Sequence, residues 1–294
     1  MTIAEKEPEA QARLAAFRAG LRERGWVEGR NIEIEYRFAV GDDVEKARAL
    51  AKELVELHPD VLVAAGTPSL VSEQEATREI PIVFVGIADP VAQGFVQSLA
   101  KPGGNITGLG LEEPSMGAKW VQLLSEIAPR TKSISVLFNP SSAPYARMFL
   151  PAMETSRGSV ELKVSPVATD VEIEQTIVAG GQRAPAGLIL LPDSFLFVHR
   201  DLIIALAAQH RVPAVYALPS YSASGGLLSY GIDRTGVYRG AAPYVDRILK
   251  GEKPADLPVQ MPTEYRLVIN LKTAKALGLD VSLQLQQRAD EVIE

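Results

Sequence analysis

The feature that most constrains this chain is a rhythm. Short apolar, β-rich runs alternate with segments of helical period along nearly all of its 294 residues. A strand buried on both faces reads as a continuous apolar run, and a covering helix reads with a period near 3.6. The alternation therefore predicts parallel sheets covered by helices on both faces. Residues 10–24 place Leu14, Phe17 and Leu21 at helical spacing and stop at Gly25. Residues 32–38 (IEIEYRF) alternate apolar and polar, as a strand does. Residues 44–57 return to helix, with Ala47, Leu50, Ala51 and Leu54 on one face. Strands are predicted at 60–66 and 80–86, and Asp89-Pro90 is expected to open a helix.

After KPGGNITG (101–108) the rhythm restarts. Helices are predicted at 115–127, ahead of 160–167, at about 170–180, at 195–209 and near 235–250. Strands are predicted at 133–138, 160–167, 187–192, 212–217 and 225–231. Pro243 should kink the last helix or mark its true start. Two such series predict two doubly wound, Rossmann-like α/β lobes joined by a hinge. Lobe 1 is expected to hold residues 1–108 and 232–262, and lobe 2 residues 109–231 and 263–294, with a ligand cleft between them.

Composition removes several classes of function. Apolar residues make up 47% of the chain and charged residues 22%, which suits packed cores and excludes disorder as its main character. The net charge is -6 and no basic stripe is present, so nucleic acid is not an expected partner. The chain has no cysteine, so disulfides, thiol nucleophiles and cysteine-ligated zinc are excluded. His58, His199 and His210 lie far apart without metal-ligand spacing, and neither a G-x-S-x-G elbow nor a P-loop occurs. GLGLEEP (108–114) starts like a dinucleotide fingerprint but lacks the third glycine. The chain is therefore expected to be no enzyme and to need no cofactor or metal.

What remains is a set of small polar residues at predicted strand ends. Gly66, Thr67, Pro68 and Ser69 follow one strand, Asp89 the next, Asn139 and Ser141 a third, Asp193 and Ser194 a fourth, and Tyr216 ends a fifth. Taken singly, these residue types are ordinary helix caps and turn formers. Jointly they would stand on the edge where open parallel sheets bind ligands. Helix N-termini there suit a carboxylate, an aspartate suits an ammonium, and tyrosine suits an apolar or aromatic group. Asp193 is the preferred ammonium partner, since Asp89 precedes Pro90 and reads as a plain cap.

Several long stretches add a resemblance. GLRERGWVEGRNIEIEYRFA, PDVLVAAGTPSL, IPIVFVGIADPVAQGFVQSLAKPGGNITGL, LPDSFLFVHRDLIIALAAQHRVPAVY and YVDRILKGEKPADLPVQMPTEYRLVINLKTAKALGL occur in one family's order and spacing. The chain resembles, from about residue 10 onward, the ABC-transporter substrate-binding proteins that include the tryptophan- and tyrosine-binding lipoproteins. The resemblance implies the type I periplasmic-binding-protein fold, an extracytoplasmic location and docking onto an ABC permease. It implies the solute-binding part of an importer, closing on a small solute, with an aromatic or branched amino acid expected. By position, the cleft edge would include Gly66, Thr67, Pro68, Asp89, Asn139 and Asp193.

The family's pattern has a leader and a first strand ahead of the first helix. Met1-Thr2-Ile3-Ala4 stands about where that strand should finish, and the opening residues do not read as a signal peptide. A start upstream of Met1 is therefore expected. The rival function is a solute sensor or regulator domain of the same two-lobed form, without a transporter.

Overall fold

The computed structural model describes residues 5–39, 43–111, 113–182 and 185–294. The chain opens with helices Pro8–Arg22 (α1) and Val44–Glu56 (α2). Strand Leu62–Ala65 (β1), helix Thr67–Ala76 (α3) and strands Ile82–Ile87 (β2) and Ile106–Gly110 (β3) follow. The next series is Met116–Ile127 (α4), Ser133–Phe138 (β4), Leu150–Ser156 (α5) after a 3-10 turn, Glu161–Pro166 (β5) and Asp170–Gln182 (α6). It continues with Ala186–Leu190 (β6), Ser194–Val198 (α7), Arg200–Gln209 (α8), Ala214–Tyr216 (β7), Pro219–Ala223 (α9) and Leu228–Ile232 (β8). Last come Arg234–Leu249 (α10), Tyr265–Asn270 (β9), Leu271–Ala276 (α11), Leu283–Gln287 (α12) and Glu291–Ile293 (β10).

The chain forms two compact units, Met1–Glu112 with Arg234–Thr263, and Glu113–Asp233 with Glu264–Glu294. In the first, β1-β2-β3 form a parallel three-stranded sheet. Its core is Leu62, Ala64, Leu70, Ile82, Phe84 and Ile87 with Phe95, Val96 and Ile106. Gly108 permits the close approach of β3 to β2, because a Cβ there would stand 2.1 Å from the Phe84 carbonyl oxygen. The second sheet has seven strands in the order β10-β9-β8-β7-β6-β4-β5. Its core includes Trp120, whose ring meets Phe149 edge-on and whose Nε1 donates to the Tyr230 carbonyl at 2.7 Å.

In the first unit α1 buries Ala10, Leu14, Phe17 and Leu21 and packs on α10. Pro243 lies within α10 rather than at its start. Proline has no N–H, so the Arg239 carbonyl four residues earlier loses its helical donor. Gly20 of α1 lies against that carbonyl, where a Cβ would come within 2.8 Å of the oxygen.

The structure corrects several sequence expectations. Residues 33–39 are assigned to no strand, and no described strand pairs with them. Asp89-Pro90 opens a turn, not a helix, and the turn ends at Gly94 with φ 76°. The helix expected at 195–209 is broken at His199, which ends α7 and precedes α8. Strands β3 and β9 were not foreseen, and β9 runs antiparallel to β8, so the larger sheet is mixed. Residues 1–4, where a first strand was expected to finish, lie outside the described residues.

Candidate functional site

Parallel strands end on one edge, and each unit gathers its small polar residues there. In the first unit β1 runs directly into the helix that carries the candidate turn. Gly66 takes φ 89° and ψ 160°, a conformation open to glycine, and this turns the chain into α3. Its N–H donates to Val85 on β2 at 3.1 Å. Thr67 and Pro68 form the first turn of α3, and the Pro68 carbonyl accepts from the Ser72 hydroxyl at 2.8 Å. The N–H groups of Thr67 and Ser69 belong to that first turn and have no acceptor within the helix. Thr67 is only 4% exposed and its Oγ1 has no partner among the described residues. Ser69 is half-buried.

Asp89 follows the adjacent strand β2 on the same edge. Its φ of 37° is left-handed, which aspartate tolerates better than most residues but not without cost. Its carboxylate accepts from the Ala92 N–H at 3.0 Å and it stays partly exposed.

The second unit builds a denser network. Asn139 follows β4, is fully buried, and its Oδ1 accepts from the N–H groups of Ser141 at 2.7 Å and Ser142 at 3.4 Å. Asp193 follows the neighbouring strand β6 and is 2% exposed. Its Oδ2 accepts from the Asn139 N–H at 2.5 Å. Its Oδ1 accepts from the Ser142 hydroxyl at 2.5 Å and from the N–H groups of Phe195 at 2.7 Å and Leu196 at 3.4 Å. Burial pushes this carboxyl up to about 6, against the pull of its four donors. Ser141 is exposed beside this knot, and Ser194 is partly so.

One expectation therefore falls. Asp193 does not lie open to meet an ammonium group. Its carboxylate is filled by donors of its own unit, where it caps α7 and ties the β4 loop to the β6 loop.

Tyr216 ends β7 and is buried, which raises its phenol well above the ordinary value. Its ring stacks on Tyr221 at 4.7 Å and 17°, and Phe197 meets Tyr221 edge-on at 6.2 Å. Tyr145 donates to the Pro192 carbonyl at 2.8 Å. The strand ends of this unit thus carry an aromatic cluster beside a rigid polar loop. Phe197, Tyr221, Tyr145 and Ser142 were not singled out from the sequence, nor was Ser220. The buried Ser220 Oγ has no partner among the described residues, as with Thr67 Oγ1. The signal was available: Pro219-Ser220 opens a helix after β7 much as Thr67-Pro68 does after β1.

The histidines form no comparable arrangement. His199 Nδ1 lies 2.8 Å from the Phe195 carbonyl oxygen and its Nε2 lies 3.1 Å from Asp170 Oδ1. Among the described residues no group of three or more His, Asp or Glu side chains is placed to hold a metal ion.

Comparison with known proteins gives this geometry its context. The family model "ABC transporter substrate binding protein" matches residues 6–293. A tyrosine-binding protein of Clostridioides difficile (strain R20291) is 26% identical over 276 residues, covering 93% of this chain and 79% of that protein. A crystal structure of a conserved domain protein from Vibrio cholerae is 30% identical with a TM-score of 0.90, covering 99% of this chain and 97% of the other. A Streptococcus structure in complex with L-Trp has a TM-score of 0.89 at 24% identity and the same coverage, a likeness of fold. The architecture is that of type I periplasmic binding proteins, and the chain belongs to the family of ABC transporter substrate binding proteins.

Proposed function

We propose that this protein is the extracytoplasmic solute receptor of an ABC importer, that it binds an aromatic amino acid, and that it catalyses no reaction. The observation that carries the reading is the chemistry at the strand ends of a chain matching its family over residues 6–293. Each unit sets a helix-opening hydroxyl without a described partner at this edge, Thr67 in one and Ser220 in the other. Such groups are costly when left unpaired and suit a polar ligand that brings its own partners. The first turn of α3 offers N–H groups for the carboxylate, with Thr67 and Ser69 beside it. Asn139, Ser141 and Ser194 supply polar contacts from the other unit, and the Tyr216–Tyr221 stack with Phe197 backs an aromatic side chain.

Asp89 takes the ammonium role in this proposal. It is the partly exposed aspartate of the set, held in a left-handed turn next to the Gly66-Thr67-Pro68 segment. The ligand names of the relatives agree with the class: one is a tyrosine-binding protein and another structure holds L-Trp. The two units are proposed to close on the solute and present it to a permease.

Calorimetry with tryptophan and tyrosine on the native chain and on Asp89→Asn tests the assignment. Losing the charge partner of a desolvated ammonium typically costs about 2–5 kcal/mol. The variant should therefore bind tens-fold more weakly or worse while melting normally. Equal affinity in both proteins removes Asp89 from the site.

A further inference from the structure

The solute site as described so far makes no use of a cation, yet one stands on the strand-end edge of the first unit. Helix α10 packs on β2 and β3. Its Gly240 lies against Leu109 near the end of β3, where a Cβ would come within 2.8 Å of the leucine Cδ2. Beyond the helix the chain returns along β3 from its start to its end. The Ala255 carbonyl accepts from the Gly103 N–H at 3.4 Å, the Leu257 carbonyl from the Thr107 hydroxyl at 2.6 Å, and the Gln260 carbonyl from the Gly110 N–H at 2.8 Å. The helix therefore descends from the end of β3 toward its start. Arg234 opens α10 ahead of Gly240, farther out along the axis by about 9 Å at a rise of about 1.5 Å per residue. β3 ends at Gly110, so Arg234 stands beyond the strand end, on the edge that holds Gly66, Thr67 and Asp89.

Two observations mark Arg234 as a vacant anion receptor. The residue is half-buried, and its Nε is buried without a partner among the described residues. Farther along the same helix Arg239 pairs with Glu23 and Arg247 with Glu252, whereas Arg234 forms no such pair among the described residues. Arg234 also occupies the first position of α10, where the positive end of the helix dipole disfavours a cation. An anion seated there relieves both costs, supplying the missing acceptor and opposing the dipole. A second orphan shares the edge, since Thr67 is 4% exposed and its Oγ1 has no partner among the described residues.

We propose that Arg234 is the charged receptor of the solute's carboxylate. This inference rests on the solute site proposed above and names the residue that makes a carboxylate obligatory there. The turn that opens α3 offers only neutral donors, Thr67 and Ser69 with their N–H groups. A guanidinium adds a full charge and a planar fork of N–H groups that matches the two oxygens of a carboxylate. Neighbouring strands lie about 4.8 Å apart, so the ends of β1 and β3 are separated by about 10 Å, a span that an arginine side chain and a carboxylate bridge together. Asp89, at the end of the intervening strand β2, is the ammonium partner of the same scheme. The edge then holds one anion and one cation, the complement of a zwitterion. An amide or amine of the same side chain leaves the guanidinium desolvated and unpaired, and the site rejects it for that reason.

The test is calorimetry on the native chain, Arg234→Gln and Arg234→Lys with three ligands: tryptophan, tryptophanamide and indole-3-propionate. The native chain should prefer the acid tryptophan to its amide. Arg234→Gln should weaken tryptophan by about thirtyfold or more and tryptophanamide far less, so that the preference collapses. Arg234→Lys should recover part of the loss, since it keeps the charge and loses the fork. Without ligand, Arg234→Gln should melt at the native temperature or above it, because the side chain gives up no partner. Equal affinity of native chain and Arg234→Gln for tryptophan overturns the proposal while leaving the amino-acid reading in place. An equal loss for acid and amide also overturns it, by showing a structural effect. If the native chain ignores tryptophan but takes indole-3-propionate only with Arg234 present, the amino-acid reading fails and the carboxylate receptor stands. Binding of none of the three overturns the proposal.

Discussion

Single residues decide more here by being satisfied or orphaned than by being polar. Asp193 was legible as a strand-end aspartate, but the sequence could not show that four donors of its own unit converge on it. Those donors lie 51 and 54 residues away as well as next to it, and such long-range closure leaves no local pattern. Asp193→Ala should strand the Asn139 N–H and the Ser142 hydroxyl, so it should destabilise the second unit by about 2–4 kcal/mol in a denaturant titration. A change in binding without loss of stability would contradict that structural role. Glu73 gives a pH prediction. Burial raises its carboxyl from 4.5 to about 8 in the folded chain. The folded state then holds a proton that the unfolded state releases above about 4.5. The contribution of this group to stability is therefore greatest at low pH and is lost as pH rises from about 4.5 to about 8, by at most about 1.4 kcal/mol per pH unit. Glu73→Gln should flatten that part of the profile; an unchanged slope would show that Glu73 is not the group responsible.

At the scale of elements, periodicity served best where one element has one clear environment. Helices α1, α2 and α4 and strands β1, β2, β4 and β6 stand where their apolar patterns put them. The pattern failed at 32–38, whose alternation is genuine but which pairs with no strand among the described residues. It also failed at Asp89-Pro90, where a cap-like pair opens a single turn that Gly94 closes. β3 was hidden because its glycines, Gly108 and Gly110, read as a loop while serving close packing against β2 and Met261. The same kind of close approach joins α1 to α10. Gly20→Ala would place a methyl within 2.8 Å of the Arg239 carbonyl oxygen and 2.9 Å of the Ala242 Cβ. Moving the two helices apart should cost about 1–3 kcal/mol in thermal or chemical unfolding. A neutral result would mean that this contact yields freely.

For the whole molecule, the strand–helix rhythm was enough to indicate parallel α/β construction and two units. The mixed edge of the larger sheet was not legible, because β9 arrives antiparallel from a segment near the end of the chain. The candidate site was legible as an edge: Gly66, Thr67 and Asp89 gather on one sheet, and Asn139, Asp193 and Tyr216 on the other. Its division of labour was not, since hydrogen-bond closure and aromatic stacking are made in three dimensions. The family match covers residues 6–293, and the central claim is the proposal that these edges hold an aromatic amino acid. Isothermal titration calorimetry with tryptophan, tyrosine, leucine and valine tests that claim most directly. The account predicts one-to-one binding of tryptophan or tyrosine, tighter than leucine or valine; no heat from either aromatic amino acid would contradict it.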